Sequence, residues 1–444
     1  MNDSEPLNFL NETDAVAPAN SLAPSEPNRA IVSSRRDRWS TALVHRALSH
    51  MVHGQLSLRA PDGTPRVFGG SGPGPTAEIR VRRNAFYRRC AAAGDVGFGE
   101  AYQAGDWDTP DLPAVIAWFC ANVDSSTVLS GTLKRDWLMS GIRAGAWLAN
   151  RIRHVMHRNS LRGSSANIQA HYDLGNEFYS LWLDPSMTYS AALFEAPDQG
   201  LASAQTAKYE RLCRQLRLQP TDHLLEIGSG WGGLASHAAR TRGCRITTVT
   251  ISPEQHRFTT ERLRREGFGD SVNVRLQDYR QLTGQFDKIV SIEMLEAVGD
   301  NFLPQYFRQV QALLKRDGLF AAQFITCPDH RHAELRRNVD WIQKHIFPGS
   351  LLLSLNRVNQ VIQATGRLSL YDLQDLGLDY AQTLRHWRQR FLAQLPAVRS
   401  LGFDDHFIRT WDYYLAYCES AFASRNISVI QGTWAGPNCR ALMS

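Results

Sequence analysis

The first stretch able to do chemistry reads Glu226-Ile227-Gly228-Ser229-Gly230-Trp231-Gly232-Gly233. Glycines let a backbone turn tightly and approach a ligand closely. Gly228, Gly230 and Gly233 also fit the GxGxxG spacing of a dinucleotide loop, a weak signal by itself. A dinucleotide enzyme needs an acid closing the second strand, to hold a ribose. Here that segment ends Thr250-Ile251-Ser252, and the next acid is Glu254. The carboxylates stand elsewhere: Glu226 before the glycines, and Asp278 after a third apolar segment. An ExGxG turn with an acid after the third strand is the pattern of class I S-adenosylmethionine methyltransferases. That ligand has no pyrophosphate, so its site does not depend on helix N-terminal amides cradling phosphate. S-adenosylmethionine is therefore read ahead of a nicotinamide dinucleotide, and ahead of a glycine turn with no ligand.

The elements around this turn alternate. Leu224 to Ile227 reads as a strand, and WGGLASHAAR after it as a helix. CRITTVTI is a strand and PEQHRFTTERLRREG a helix. SVNVRLQD and FDKIVSIEM are strands, PQYFRQVQALLKRDG a helix and LFAAQFIT a strand. Such alternation predicts an α/β fold, a mainly parallel sheet with helices on both faces. It starts near residue 166. Before it, residues 39–165 mix short helices and strands, with a hairpin expected around Pro61-Asp62-Gly63. This region reads as a smaller α+β accessory domain. Residues 1–38 are rich in Ser, Pro, Asn, Asp and Glu and read as a disordered tail.

Composition sets outer limits. With 444 residues, 43% of them hydrophobic, the chain can bury two or three cores. Seven scattered cysteines, an odd number with no CxxC pair, argue against a disulfide framework and a zinc site. Reduced thiols in a cytoplasmic protein are the expectation. No apolar run reaches the ~20 residues of a membrane span, and the N-terminus lacks the pattern of a secretory signal. The formal net charge of +6 is local. Between 131 and 170, seven basic residues, Arg151 and Arg153 among them, face the single acid Asp136, and Trp137 and Trp147 lie in the same stretch. Its apolar positions recur at helical spacing, which suits a basic amphipathic helix on an anionic membrane surface or a core helix with a solvated basic face. No nucleic-acid motif accompanies the charge.

Several stretches together resemble the cyclopropane-fatty-acyl-phospholipid synthase family. They are HYDLGNEFYSLWLDPSMTYSAALFE, LLEIGSGWGGLA, VTISPEQ, QDY, FDKIVSIEMLEAVG, WIQKHIFPGS, DYAQTLRHWRQRF and YYLAYCESAFASRNISVIQ, with GFGEAYQAGDWD matching the accessory domain. The likeness runs in order from about residue 45 to 435. It implies a seven-stranded, Rossmann-like class I methyltransferase domain that transfers the methyl of S-adenosylmethionine to a cis double bond of a phospholipid acyl chain. It also implies the cofactor residues Tyr189, Ser190, Glu226, Gly228, Gly230, Thr250, Ile251, Ser252, Gln255, Asp278, Tyr279 and Ile292. The family closes a cyclopropane ring with a bound bicarbonate as base. Glu296, Tyr380, the Ile325 amide, the Ala191 backbone and Gln323 match the positions that hold it.

Three of those positions depart from the pattern. Ala191 stands for the usual Cys, Ala297 for a His beside the glutamate, and Gln323 for the bicarbonate-binding His. Glutamine still donates a hydrogen bond but cannot become cationic. The expected product is a cyclopropane fatty acid. The alternative is a hydride shift and proton loss from a neighbouring carbon, leaving a methylene branch that a partner reductase saturates. A small-molecule methyltransferase and a non-catalytic lipid-binding protein are more distant readings. Phe178, Tyr179, Trp182, Trp341 and Phe347 are candidate tunnel aromatics. The resemblance further implies peripheral association with the inner face of the membrane and a possible homodimer.

Overall fold

The computed structural model describes residues 34–123, 174–437 and 439–442. The basic segment 131–170 and the start of the HYDLGNEFY stretch lie outside the described residues. The larger sheet has seven strands: β5 (His223–Ile227), β6 (Arg245–Thr250), β7 (Val272–Leu276), β8 (Phe286–Ile292), β9 (Leu314–Thr326), β10 (Ser369–Asp375) and β11 (Ser428–Ala435). Their order is β10-β11-β9-β8-β5-β6-β7. The pairs β8/β9, β5/β8, β5/β6 and β6/β7 are parallel, and β11 runs antiparallel to both neighbours. The central strands are buried along almost their whole length, as a sheet covered on both faces requires. Edge strand β10 instead alternates exposed and half-buried positions.

The first described element is α1 (Arg35–Ser49), begun by a capping box in which Ser34 and Asp37 satisfy each other's backbone amides. The helix thus starts inside the stretch read as a tail. The smaller sheet, in order β2-β1-β3-β4, comprises β1 (His53–Arg59), β2 (Pro65–Gly69), β3 (Gly72–Val81) and β4 (Trp107–Asp108). β1 and β2 form the expected hairpin. The helices α2 (Ala85–Gln103) and α3 (Leu112–Ala121) follow.

In the larger half the helices are α4 (Asn176–Ser180), α5 (Leu201–Gln215), α6 (Gly233–Arg242), α7 (Pro253–Arg265), α8 (Leu303–Leu313), α9 (Asp329–Leu335), α10 (Trp341–His345), α11 (Leu355–Thr365), α12 (Gly377–Ala393), α13 (Leu395–Ser400) and α14 (Asp405–Ala423). The helix expected to run on to Gly318 ends at Leu313, because Leu314 already pairs with Phe286 of β8. One aromatic core joins α2 and α3 to α14. Tyr102 donates to Asp412 (2.7 Å), and Ser420 donates to the Pro113 carbonyl (3.0 Å). The Gly99 backbone sits against Trp341, where any side chain would collide with the indole. No helix among the described residues is long and apolar enough to cross a membrane.

Candidate functional site

The sheet order reverses beside β5, flanked by β6 on one side and β8 on the other, and that is where a doubly wound sheet opens a crevice. The glycine turn leaves β5 at this point. Gly228 and Gly230 have φ of 96° and 49°, left-handed values that favour glycine. A Cβ on Gly230 would meet no protein atom within 4 Å, so the turn leaves open space beside it. At Gly233, a Cβ would collide with the Tyr209 hydroxyl, so this glycine serves the packing of α6 on α5.

The crevice continues into a cavity of about 440 Å³. Tyr189, Ser190, Glu226, Gly228, Gly230, Thr250, Ile251, Gln255, Asp278, Tyr279 and Ile292 all line it. Ser252 does not; it is the N-cap of α7, accepting from the Gln255 amide. Thr250 Oγ1 donates to Gln255 Oε1 (2.8 Å) and accepts from the Ser252 amide (3.1 Å), which fixes the tip of β6. Glu226 is buried, accepts from Thr248 Oγ1 (2.6 Å), and is pushed up to about 8 by burial, against the pull of that bond. Asp278 pairs with Arg280 (2.6 Å). A glycine cradle with open space beside it, flanked by the acids Glu226 on β5 and Asp278 after β7, leaves room for a nucleoside-bearing ligand.

The residues expected around a bicarbonate split into two groups. Ala191, Gln323 and Tyr380 converge on a side chain absent from the sequence expectations, Glu293. Its Oε1 accepts from the Ala191 amide (2.8 Å) and from Gln323 Nε2 (2.7 Å), and its Oε2 accepts from the Tyr380 hydroxyl (3.0 Å). The donors read as a bicarbonate cage are thus taken by a carboxylate of the chain itself, and they do not fit a further anion. Glu296 belongs to the second group. Its Oε1 accepts from the Ile325 amide (2.5 Å), while its Oε2 is buried without a hydrogen bond. Burial, reinforced by the nearby Glu293 charge, pushes Glu296 up to about 8. Glu293, Glu296, Ile325 and Tyr380 line the cavity; Ala191 and Gln323 stand behind Glu293.

The backbone aims Glu293. It has φ of 47°, a left-handed conformation that a non-glycine residue adopts at a cost of roughly 1–2 kcal/mol. Its amide donates to the Gln323 carbonyl (2.7 Å), which holds that conformation and turns the side chain into the cage. Strain of this kind concentrates at functional sites. Lys208, on α5, is a second residue missing from the expectations. Its Nζ is buried, donates to Ser190 Oγ (2.7 Å) and lies 4.5 Å from the Tyr209 ring centre. Burial lowers Lys208 to about 7 although Glu293 and Asp184 pull it up, and burial raises Glu293 against its donors. The only sequence signals were a carboxylate inside SIEMLEAVG and a lysine on the inner face of a helix.

Of the candidate tunnel aromatics, only Phe347 lines the cavity. Phe178, Tyr179 and Trp182 are fully buried, packed with Trp411 at ring separations of 4.9, 6.1 and 5.6 Å. Trp341 packs on Tyr413 at 4.6 Å. These four belong to the core. Phe347, Leu352, Tyr414, Phe422 and Ile427 give the cavity an aromatic and aliphatic wall.

A profile of the mycolic acid cyclopropane synthetase family matches residues 159–432. The tuberculostearic acid methyltransferase of Mycobacterium tuberculosis is 38% identical over 89% of this chain and 91% of its own length. The cyclopropane-fatty-acyl-phospholipid synthase of Escherichia coli K12 is 36% identical over 82% of this chain and 88% of its own. Among solved structures, a mycolic acid cyclopropane synthase complexed with SAH and CTAB matches with a TM-score of 0.57 and 31% identity, covering 61% of this chain and 97% of that one.

Proposed function

Since the chain belongs to the cyclopropane synthetase family of S-adenosylmethionine-dependent methyltransferases, which modify lipid acyl chains, we propose that it methylates a cis double bond of a phospholipid acyl chain, uses Glu293 as its base, and releases a methylene-branched product. The observation that carries this reading is the Glu293 carboxylate inside the cage of Ala191, Gln323 and Tyr380.

S-adenosylmethionine, when bound, supplies an electrophilic methyl group. The glycine turn, Thr250, Gln255 and Asp278 would hold it, and the apolar wall of the cavity would hold the alkene beside it. With that donor bound, the alkene π pair would form the new C–CH₃ bond as the S–CH₃ bond breaks, leaving a carbocation on the acyl chain. Tyr380 and Tyr414, which line the cavity, offer electron-rich faces to that cation. Gln323 and the Ala191 amide occupy Oε1 of Glu293, so Oε2, with its single hydrogen bond, is the atom that takes the proton.

The product depends on order. If the methyl proton leaves first, its C–H pair closes a cyclopropane ring. If a hydride shifts first, the cation moves to the methylated carbon, and the same C–H pair forms the C=CH₂ double bond of a methylene branch as the base takes the proton. Glu293 is anchored by its own backbone and by three donors, so its Oε2 takes the methyl proton from one fixed place. The shift needs no base and has time to run. The relative named a tuberculostearic acid methyltransferase supports this reading, and the cyclopropane synthases support ring closure as the second reading. A reductase would complete a methyl branch. Supply of the acyl chain calls for peripheral contact with a membrane, the role suggested by the basic segment 131–170.

The test is expression in a bacterium lacking its own cyclopropane synthase, with fatty acid methyl esters analysed by gas chromatography and mass spectrometry. The two products are isomers of equal mass, so proton NMR of the new ester decides. Vinylidene protons are expected. Cyclopropane protons alone would overturn the methylene reading.

A further inference from the structure

The Gln323 amide has a direction, and its direction is imposed from a distance. Gln323 is fully buried on β9, directly opposite Gln431 in the antiparallel register with β11. Its Nε2 donates to Glu293 Oε1 (2.7 Å) and to the Ala191 carbonyl (3.2 Å), and its Oε1 accepts from Gln431 Nε2 (2.9 Å). Gln431, also fully buried, accepts at Oε1 from Arg211 Nη1 (3.0 Å). Arg211 lies on α5 and is tied by Nη2 to Asp372 Oδ2 of edge strand β10 (2.6 Å).

A guanidinium has only donors. The Gln431 carbonyl must therefore face Arg211, and its NH₂ must face Gln323. The Gln323 carbonyl must then face Gln431, which leaves its NH₂ for Glu293. We propose that Arg211 and Gln431 are positioning residues for the base: through two buried amides they keep a donor, and never a carbonyl, against the Glu293 carboxylate. The inference rests on Glu293 being the base. It also offers a substitute for the missing histidine, since polarised amides in series carry the influence of the Arg211 cation to the carboxylate.

A flipped Gln323 would set a carbonyl against the carboxylate and favour its protonated form. A hydrogen bond to the charged form lowers an acid's pKa, so losing it raises the pKa. The base works deprotonated, so the acid limb of the rate profile must move to higher pH. The other titratable groups facing Glu293 are Lys208 from α5, Tyr380 from α12 and Glu296 from its own loop, and they are the same in every variant compared.

The experiment measures kcat against pH for the full-length protein, with S-adenosylmethionine and vesicles of a cis-monounsaturated phospholipid. Arg211→Met and the near-isosteric Gln431→Met are each expected to lower kcat by roughly tenfold to a hundredfold, the loss of one hydrogen bond to a charged group. Both should move the acid limb upward and leave the KM for S-adenosylmethionine unchanged. Arg211→Lys, still only a donor, should recover most of the rate. If Arg211→Met does not fold, Gln431→Met decides alone. A wild-type acid limb in variants that bind S-adenosylmethionine, whether or not kcat falls, overturns the positioning role. Glu293→Gln is measured alongside: a wild-type profile there means that the base reading has failed, not the relay.

Discussion

The cavity has two ends built on different rules. At the cofactor end, backbone does the work: a glycine turn, strand tips, and side chains locked by short-range bonds such as Thr250 to Gln255. At the base end, side chains from β9, β11, α5 and α12 converge on one buried carboxylate in the loop after β8. The first end depends on residues close together in sequence, the second on residues far apart. On the proposed reading, the chain keeps the cofactor half and sets a residue of its own, Glu293, where the resemblance implies a bound anion.

The sharpest way to break this comparison is Glu293→Gln. Removing a general base costs 10²–10⁴-fold in rate. That loss is expected here, with S-adenosylmethionine affinity by calorimetry unaltered; a matching loss of affinity would mean that the two ends are not separable. Asp278→Ala attacks the other end. Loss of one charge-assisted contact should weaken S-adenosylmethionine by roughly tenfold to a hundredfold, while the product seen by mass spectrometry and NMR stays the same. Tyr380→Phe should have the smallest effect, roughly tenfold in kcat, the lower end for one hydrogen bond to a charged group. It removes the one donor on Oε2, so the Glu293 pKa rises and activity on the acid side falls at a higher pH than in the wild type. Burial already holds Glu293 above the ordinary carboxylate range, so a stopped-flow or radiometric pH series resolves the shift.

These differences also explain what could be read from residues alone. The glycine turn, the acids around it and the alternation of strands and helices are local patterns, and Glu226, Gly228, Gly230 and Asp278 line the cavity; of the cofactor residues that the resemblance implies, Ser252 does not, its hydroxyl capping a helix instead. Local patterns also misled. PQYFRQVQALLKRDG continues a helical period past Leu313, but pairing with β8 ends the helix there. Phe178, Tyr179 and Trp182 carry the chemistry of a cation site, yet packing against Trp411 takes them into the core. At the base end, Gln323 was visible as a departure and its consequence was not. Glu293, Lys208, Arg211 and Gln431 come from three distant segments, and only the sheet register brings Gln431 opposite Gln323. Glu293 is also selected by a left-handed φ, a property no side-chain pattern displays.

The central claim is that the chain carries its own base. Its most direct test is the methyl-transfer rate of the wild-type protein in buffer stripped of carbon dioxide and bicarbonate, followed by adding bicarbonate back. With Glu293 in the cage, the rate is predicted to be the same before and after the addition. A rate that collapses on stripping and returns with bicarbonate would contradict the account.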